Sequence, residues 1–173
     1  SDNVYSKKIN KWENVSLANN RHFVKLTQTI DWAQDGDSDS KHKAEQFTYD
    51  DTTGNLSEKI LYGEVVASES GGFADSGTDK FIFTYKYATS SPVGVNLLSQ
   101  EVMTPASSTK LKETNLYYDN LAFGSVSLGN ITKQEFWKTS SNSYFSCSSS
   151  RNGKIQTAIS IHCSWKSISL RAD

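Results

Sequence analysis

Proline is nearly missing: Pro92 and Pro105 are the only two in 173 residues. Disorder driven by proline content is therefore excluded. No run approaches the ~18 consecutive apolar residues of a membrane-crossing helix, so no membrane span is expected. Charge of one sign is lacking too. The net charge is −1 with acids and bases interspersed, without the basic face that a nucleic-acid binder needs. Ser1 to Asn10 contains no apolar core of a leader peptide, so no signal peptide is expected there. There is no HExxH and no glycine-rich phosphate loop, which removes two common enzyme classes. Cysteine is limited to Cys147 and Cys163. Two free thiols are the expectation, with a single disulfide as the alternative. Two cysteines with His162 do not make a zinc set.

What is present points to strands. Hydrophobic residues make up 36% and aromatics 12% of the chain, and Ser, Thr and Asn are abundant. Aromatic and β-branched residues suit a pleated, half-buried surface. Lys80 to Ala88, KFIFTYKYA, alternates Phe81, Phe83, Tyr85 and Tyr87 against Lys80, Ile82, Thr84 and Lys86, the clearest period-two pattern in the chain. Further strands are expected over Arg21 to Trp32, Ala44 to Asp50, Leu56 to Ser68, Val93 to Thr104, Ser108 to Asp119 and Gly129 to Trp137. Polar, turn-rich loops are expected at Asp35 to Lys43 and at Glu69 to Asp79. No segment holds an i, i+3, i+4, i+7 apolar stripe between caps, so the class is all-β, built of antiparallel strands and hairpins. Three regions are expected: a lead-in over 1–19, a β region over 20–138 and an atypical tail over 139–173. Seven of the eleven residues from Ser140 to Ser150 are serine. That tail reads as an edge hairpin or as a departure of the reading frame near Trp137.

The stretch YDDTTGNL, Tyr49 to Leu56, reads as a tight turn. Asp51 is expected to open it, its carboxylate accepting turn N–H groups. Thr52 and Thr53 take the central places, and Gly54 supplies the positive φ of a bulge. The same parts recur in the same order as Tyr118-Asp119, then Gly129-Asn130, with a longer loop between. A repeated hairpin cannot bury its faces alone and needs stacked neighbours.

Tyr-Asp followed by Gly-Asn-apolar-Thr resembles the YD repeats of Rhs proteins and of the B and C subunits of bacterial toxin complexes. The likeness runs from about Asn20 to Trp137, through FTYDDTTGNLSEKILYG, the aromatic strand and LYYDN to LGNITKQEFW. The resemblance implies an open, curved antiparallel sheet, one stretch of a hollow shell that encloses and delivers a C-terminal toxin. Partners would be the rest of that shell, the enclosed toxin and other toxin-complex subunits. The setting would be secreted or on a bacterial surface. The residues that matter would be structural: Tyr49, Asp50, Gly54 and Asn55, with Tyr118, Asp119, Gly129 and Asn130. The tail departs from the pattern, with a serine run where another aromatic strand belongs. No self-cleaving or toxin segment matches, so no enzyme activity is carried over, and no cofactor is expected.

Other constellations are weaker. Asp35, Asp37 and Asp39 alternate like the opening of a calcium loop, but Ser40 and Gln46 stand where an EF-hand needs Gly and Glu. A looser calcium site is the alternative to a solvated acidic loop. His42 reads as a surface residue. Ser125 to Gly129 misses the G-x-S-x-G nucleophile elbow at its first position. Asp50, Asp51 and Asp119 as a glycosidase pair are better explained by their turns. Asn14, Asn55 and Asn130 begin glycosylation sequons that matter only in eukaryotic secretion. A free-standing carbohydrate-binding β-sandwich, with the aromatic strand as its stacking platform, is the second functional expectation.

Overall fold

The computed structural model describes residues 6–17, 19–34, 40–89, 96–106, 109–138, 143–150 and 160–166. Among them there is no helix. The strands are β1 (Ser6–Ser16), β2 (His22–Gln34), β3 (Ser40–Tyr49), β4 (Leu56–Ala67), β5 (Phe73–Asp75), β6 (Phe81–Tyr87), β7 (Leu98–Pro105), β8 (Lys112–Tyr118), β9 (Ile131–Lys138), β10 (Ser143–Ser150) and β11 (Ser160–Lys166). Their hydrogen-bonded order is β1-β2-β3-β4-β6-β7-β8-β9-β10-β11, with β5 paired to β4. The sheet is open and antiparallel, and its order does not return to β1. The chain divides into two compact units, Ser1–Phe83 with Pro105–Ser108, and Thr84–Thr104 with Thr109–Asp173.

In the first unit one rung crosses four strands: Ile9 faces Ile30, Ile30 faces Ala44, and Ala44 faces Tyr62. Residues directly opposite in an antiparallel pair share a face, so this rung makes the core. Ile30, Ala44 and Val65 are buried, with Ile9, Tyr62, Ala67 and Phe73 packed on them. The turn after β4 folds onto the same face. Gly71, at φ +82°, lies against Ile9 and Lys11, and the buried Gln28 side chain donates to its carbonyl at 2.8 Å.

In the second unit Ala88, Tyr118 and Val126 form a smaller core, flanked by Leu97 and Leu116. The Tyr118 hydroxyl is satisfied by the Leu98 carbonyl at 2.6 Å. Removing only that hydroxyl in Tyr118→Phe is expected to cost about 1 kcal/mol, the usual net worth of one such hydrogen bond. Urea denaturation of the two proteins side by side measures it.

Several expectations need correction, among them the loop expected over Glu69 to Asp79, which holds the short strand β5. The lead-in holds strand β1, paired to β2 along its whole length. It shows no apolar alternation because nearly every β1 side chain is exposed, and its place is fixed by backbone bonds together with Ile9 on the core. β3 begins at Ser40, inside the expected loop. His42 is consequently buried, on the Ala44 face and packed against Trp32, with ring centroids 3.9 Å apart and the planes tilted by 46°. Finally, Cys147 is disulfide-bonded, not a free thiol. Its partner in the ladder register, across the β10–β11 hairpin, is Cys163.

Candidate functional site

The two Tyr-Asp…Gly-Asn segments build the same hairpin. Tyr49 faces Leu56 and Tyr118 faces Ile131, each directly after a register shift, at Thr48/Tyr49 and Tyr117/Tyr118. The mouth of each hairpin is closed by one backbone bond from aspartate to asparagine. Asp50 N–H donates to the Asn55 carbonyl, and Asp119 N–H to the Asn130 carbonyl, both at 2.8 Å. The glycine before each asparagine has positive φ, +75° at Gly54 and +88° at Gly129. A side chain there would be strained. A hydroxyl two residues beyond each asparagine donates back across the ladder, Ser57 to the Thr48 carbonyl at 3.0 Å and Thr132 to the Tyr117 carbonyl at 3.4 Å. An apolar side chain covers each glycine, Phe23 over Gly54 and Leu97 over Gly129.

The likeness continues past the turn. Seven residues after each asparagine stands an aromatic, Tyr62 and Trp137. Each meets a second ring edge-on: Tyr62 meets Phe73 at 4.9 Å and 68°, and Trp137 meets Tyr144 at 5.0 Å and 66°. A lysine ammonium lies over each, Lys80 over Tyr62 at 5.5 Å and Lys110 over Trp137 at 3.8 Å. Such contacts strengthen as water is excluded from the ring face.

The aspartates bind their own turns, but not as the sequence suggests. Asp50, not Asp51, accepts the turn N–H groups, those of Thr52 and Thr53, each at 2.8 Å. Those two bonds hold its carboxyl below the ordinary range, Thr53 contributing more. Asp51 instead pairs with Lys25 at 2.7 Å, and Lys25 also meets Glu13 at 3.5 Å. The turn starts one residue earlier than expected because Asp50, at the end of β3, already makes the closing bond.

Asp119 does more. Its carboxylate accepts the backbone N–H groups of Ser127, Leu128, Gly129 and Asn130 at 2.7–3.0 Å, and the Asn130 side-chain amide at 3.1 Å. Asp119 and Asn120 both adopt positive φ, 54° and 58°, a conformation that Asp and Asn tolerate better than most residues. Partial desolvation opposes ionisation, yet the four backbone bonds outweigh it and hold the carboxyl far below its usual value. The sign follows from that depression. The stabilisation is complete above the unfolded value of about 3.9, and it drains away as pH falls below that value toward the folded one. Asp119→Ala is therefore expected to lose more stability at pH 7 than at pH 3, with loop 120–128 exchanging its amides faster. Asp119→Asn, which keeps one acceptor oxygen, should fall between the two. Equal losses at both pH values would contradict this.

No family model matches this chain, and no curated protein matches it. The site is therefore read from its own geometry.

The second unit carries a polar cluster that no motif announces. Gln100, Asn115, Glu135 and Ser146 form one rung. Two residues before Asn115, the buried Glu113 accepts from Lys110 at 2.6 Å, Tyr144 at 2.7 Å, Asn115 at 3.0 Å and Gln100 at 3.2 Å. Burial pushes its carboxyl up, but these donors outweigh it and the net shift is downward. Beside it, Tyr117 donates to Glu135 at 2.7 Å. Glu135 also pairs with Lys133, which lies over the Tyr117 ring at 4.3 Å. Burial first, and then the bond to Glu113, push the Tyr144 hydroxyl up to about 12. Burial and Glu135 raise Tyr117 further still. An alkaline absorbance titration should show these two tyrosines ionising last, and Glu113→Gln should bring Tyr144 down.

Glu113 stands five residues before Tyr118, as Ala44 stands five before Tyr49. One repeat position thus carries the apolar core in the first unit and a charged hub in the second. The aspartates 35, 37 and 39 lie outside the described residues. Among the described residues no group of three or more His, Cys, Asp and Glu is arranged to hold a metal ion.

Proposed function

We propose that this chain is a structural segment of an Rhs/YD-repeat protein, part of a β shell that encapsulates and delivers a C-terminal toxin. The observation that carries the reading is the hairpin built twice. Tyr-Asp and Gly-Asn close it with the same backbone bond, the same positive-φ glycine, the same hydroxyl return bond and the same edge-on aromatic pair under a lysine. Repetition of a unit that cannot cover its own faces is how stacked-repeat walls are made. On this reading the chain's role is mechanical and not catalytic. Its partners are the remainder of its own shell, the enclosed toxin domain and other toxin-complex subunits. The disulfide at Cys147 supports a secreted or bacterial cell-surface setting, since such bonds persist in oxidising compartments.

A carbohydrate-binding role gains nothing from the geometry. Its expected platform, Phe81, Phe83, Tyr85 and Tyr87 on β6, is half-buried along its length, as suits a packed sheet row better than an open stacking face.

The test is to isolate the full native polypeptide that contains this segment and treat it with protease before and after unfolding. A shell predicts a large chain with further Tyr-Asp…Gly-Asn copies and a C-terminal domain resistant until the shell is opened. A native protein consisting of this segment alone, or a C-terminal domain cleaved at once, would refute the reading.

A further inference from the structure

The hairpin β10–β11 is held differently from the rest. Its ladder pairs Tyr144 with Lys166 through to Ser150 with Ser160. Beyond Phe145, β10 reads Ser-Cys-Ser-Ser-Ser, and such small polar side chains bring little cross-strand packing. Neither apolar core draws a member from residues 143–148 of β10. β11 ends the strand order, with β10 as its one neighbour among the described strands, so its ladder bonds run along one side only. At the middle of this ladder sits the Cys147 disulfide. The chain has one other cysteine, Cys163, and it is the residue directly opposite.

We infer that this disulfide is a redox-released latch. In an oxidising compartment it pins β11 along β10. A low-molecular-weight thiol of the glutathione class, met on entry into a reducing compartment, frees β11 and uncovers the backbone edge of β10. The chemistry balances with the thiol as reductant. One thiolate attacks the half-buried Cys147 sulfur, breaking the S–S bond. Cys163 leaves as a thiolate and takes up a proton. A second thiolate then attacks the reductant's sulfur in the mixed disulfide; Cys147 leaves as a thiolate and takes up a proton, and the two reductant molecules depart joined as their own disulfide. An uncovered edge presents unpaired N–H and C=O groups, so the wall opens where the latch was. The inference rests on the delivery reading only for the place where the reductant is met.

Hydrogen exchange of this chain, oxidised and after glutathione, tests it. Alkylation without reductant should label no cysteine. Reduction should speed exchange of the amides of residues 144–150 by about tenfold or more, the mark of local opening, with residues 22–34 and 112–118 unchanged. The double variant Cys147→Ser, Cys163→Ser should behave as the reduced protein without any reductant. Labelled thiols in protein made in an oxidising compartment would overturn the latch. So would equal exchange of residues 144–150 in the oxidised and reduced forms. Either result is read on this chain alone, so failure of the shell reading leaves it interpretable.

Discussion

Ile30→Ala is expected to destabilise the protein by about 3–4 kcal/mol, toward the upper part of the range for truncating a fully buried aliphatic side chain. Ile30 has no exposed surface. It stands in the middle of the rung that runs from Ile9 through Ala44 to Tyr62. The neighbour on β3 is already an alanine, so it has no longer side chain to swing into the space. The vacated volume would stay largely open, which is the condition under which a cavity adds to the transfer term. Ile30→Val removes one methylene and should cost only about 1 kcal/mol. The measurement is the urea midpoint at unchanged denaturant slope. A loss for Ile30→Ala no larger than that for the valine variant would show that the rung is not the core.

Glu113→Ala should be comparably damaging, about 3–5 kcal/mol, through the opposite physics. The side chain is only 9% exposed, and four donors converge on it. Removing it takes an acceptor from the Lys110 ammonium, the Tyr144 hydroxyl and the Asn115 amide, while the Gln100 amide keeps Asn115 Oδ1 at 2.9 Å, and each buried group left unsatisfied carries its own desolvation penalty. Glu113→Gln preserves shape but keeps a single acceptor oxygen for the same donors, so it should recover only part of the loss. Because the carboxyl is held below its ordinary value, the native advantage is full above about 4.3 and shrinks as pH falls below that. The gap between Glu113→Ala and the unaltered chain should therefore narrow in acid.

The strands with a solvated and a buried face were legible. β6 alternates aromatic against polar, and β3, β4, β8 and β9 are framed by turn residues with a mechanism. β1 was not legible, because an edge strand that turns little besides Ile9 to the core has no reason to alternate. β5 is three residues long and sits in a glycine-rich stretch that reads as loop. The repeat was visible in Tyr-Asp and Gly-Asn because hairpin closure depends on particular residue types. The Asp50/Asp51 assignment failed by one position, since which acid caps a turn depends on where the closing bond falls. The Glu113 hub was hidden for a different reason. A strand carrying Glu, Asn and Tyr on one face looks solvated until the lysine and the tyrosine that meet it are located. The disulfide depends on register between β10 and β11, which two isolated cysteines do not specify.

The bond from Asp119 to Asn130 separates what the hairpin is from what it displays. Between aspartate and glycine the first hairpin has residues 51–53 and the second residues 120–128, yet both mouths close at 2.8 Å. Tripling such a loop costs roughly 1 kcal/mol in closure entropy, and the bonds to the Asp119 carboxylate are there to offset it. The mouth thus acts as a socket, indifferent to the length of its insert. The second insert already uses that freedom, holding Leu128 80% exposed above a framework that has not changed. A sheet made of such sockets can vary its surface one loop at a time without re-registering a strand.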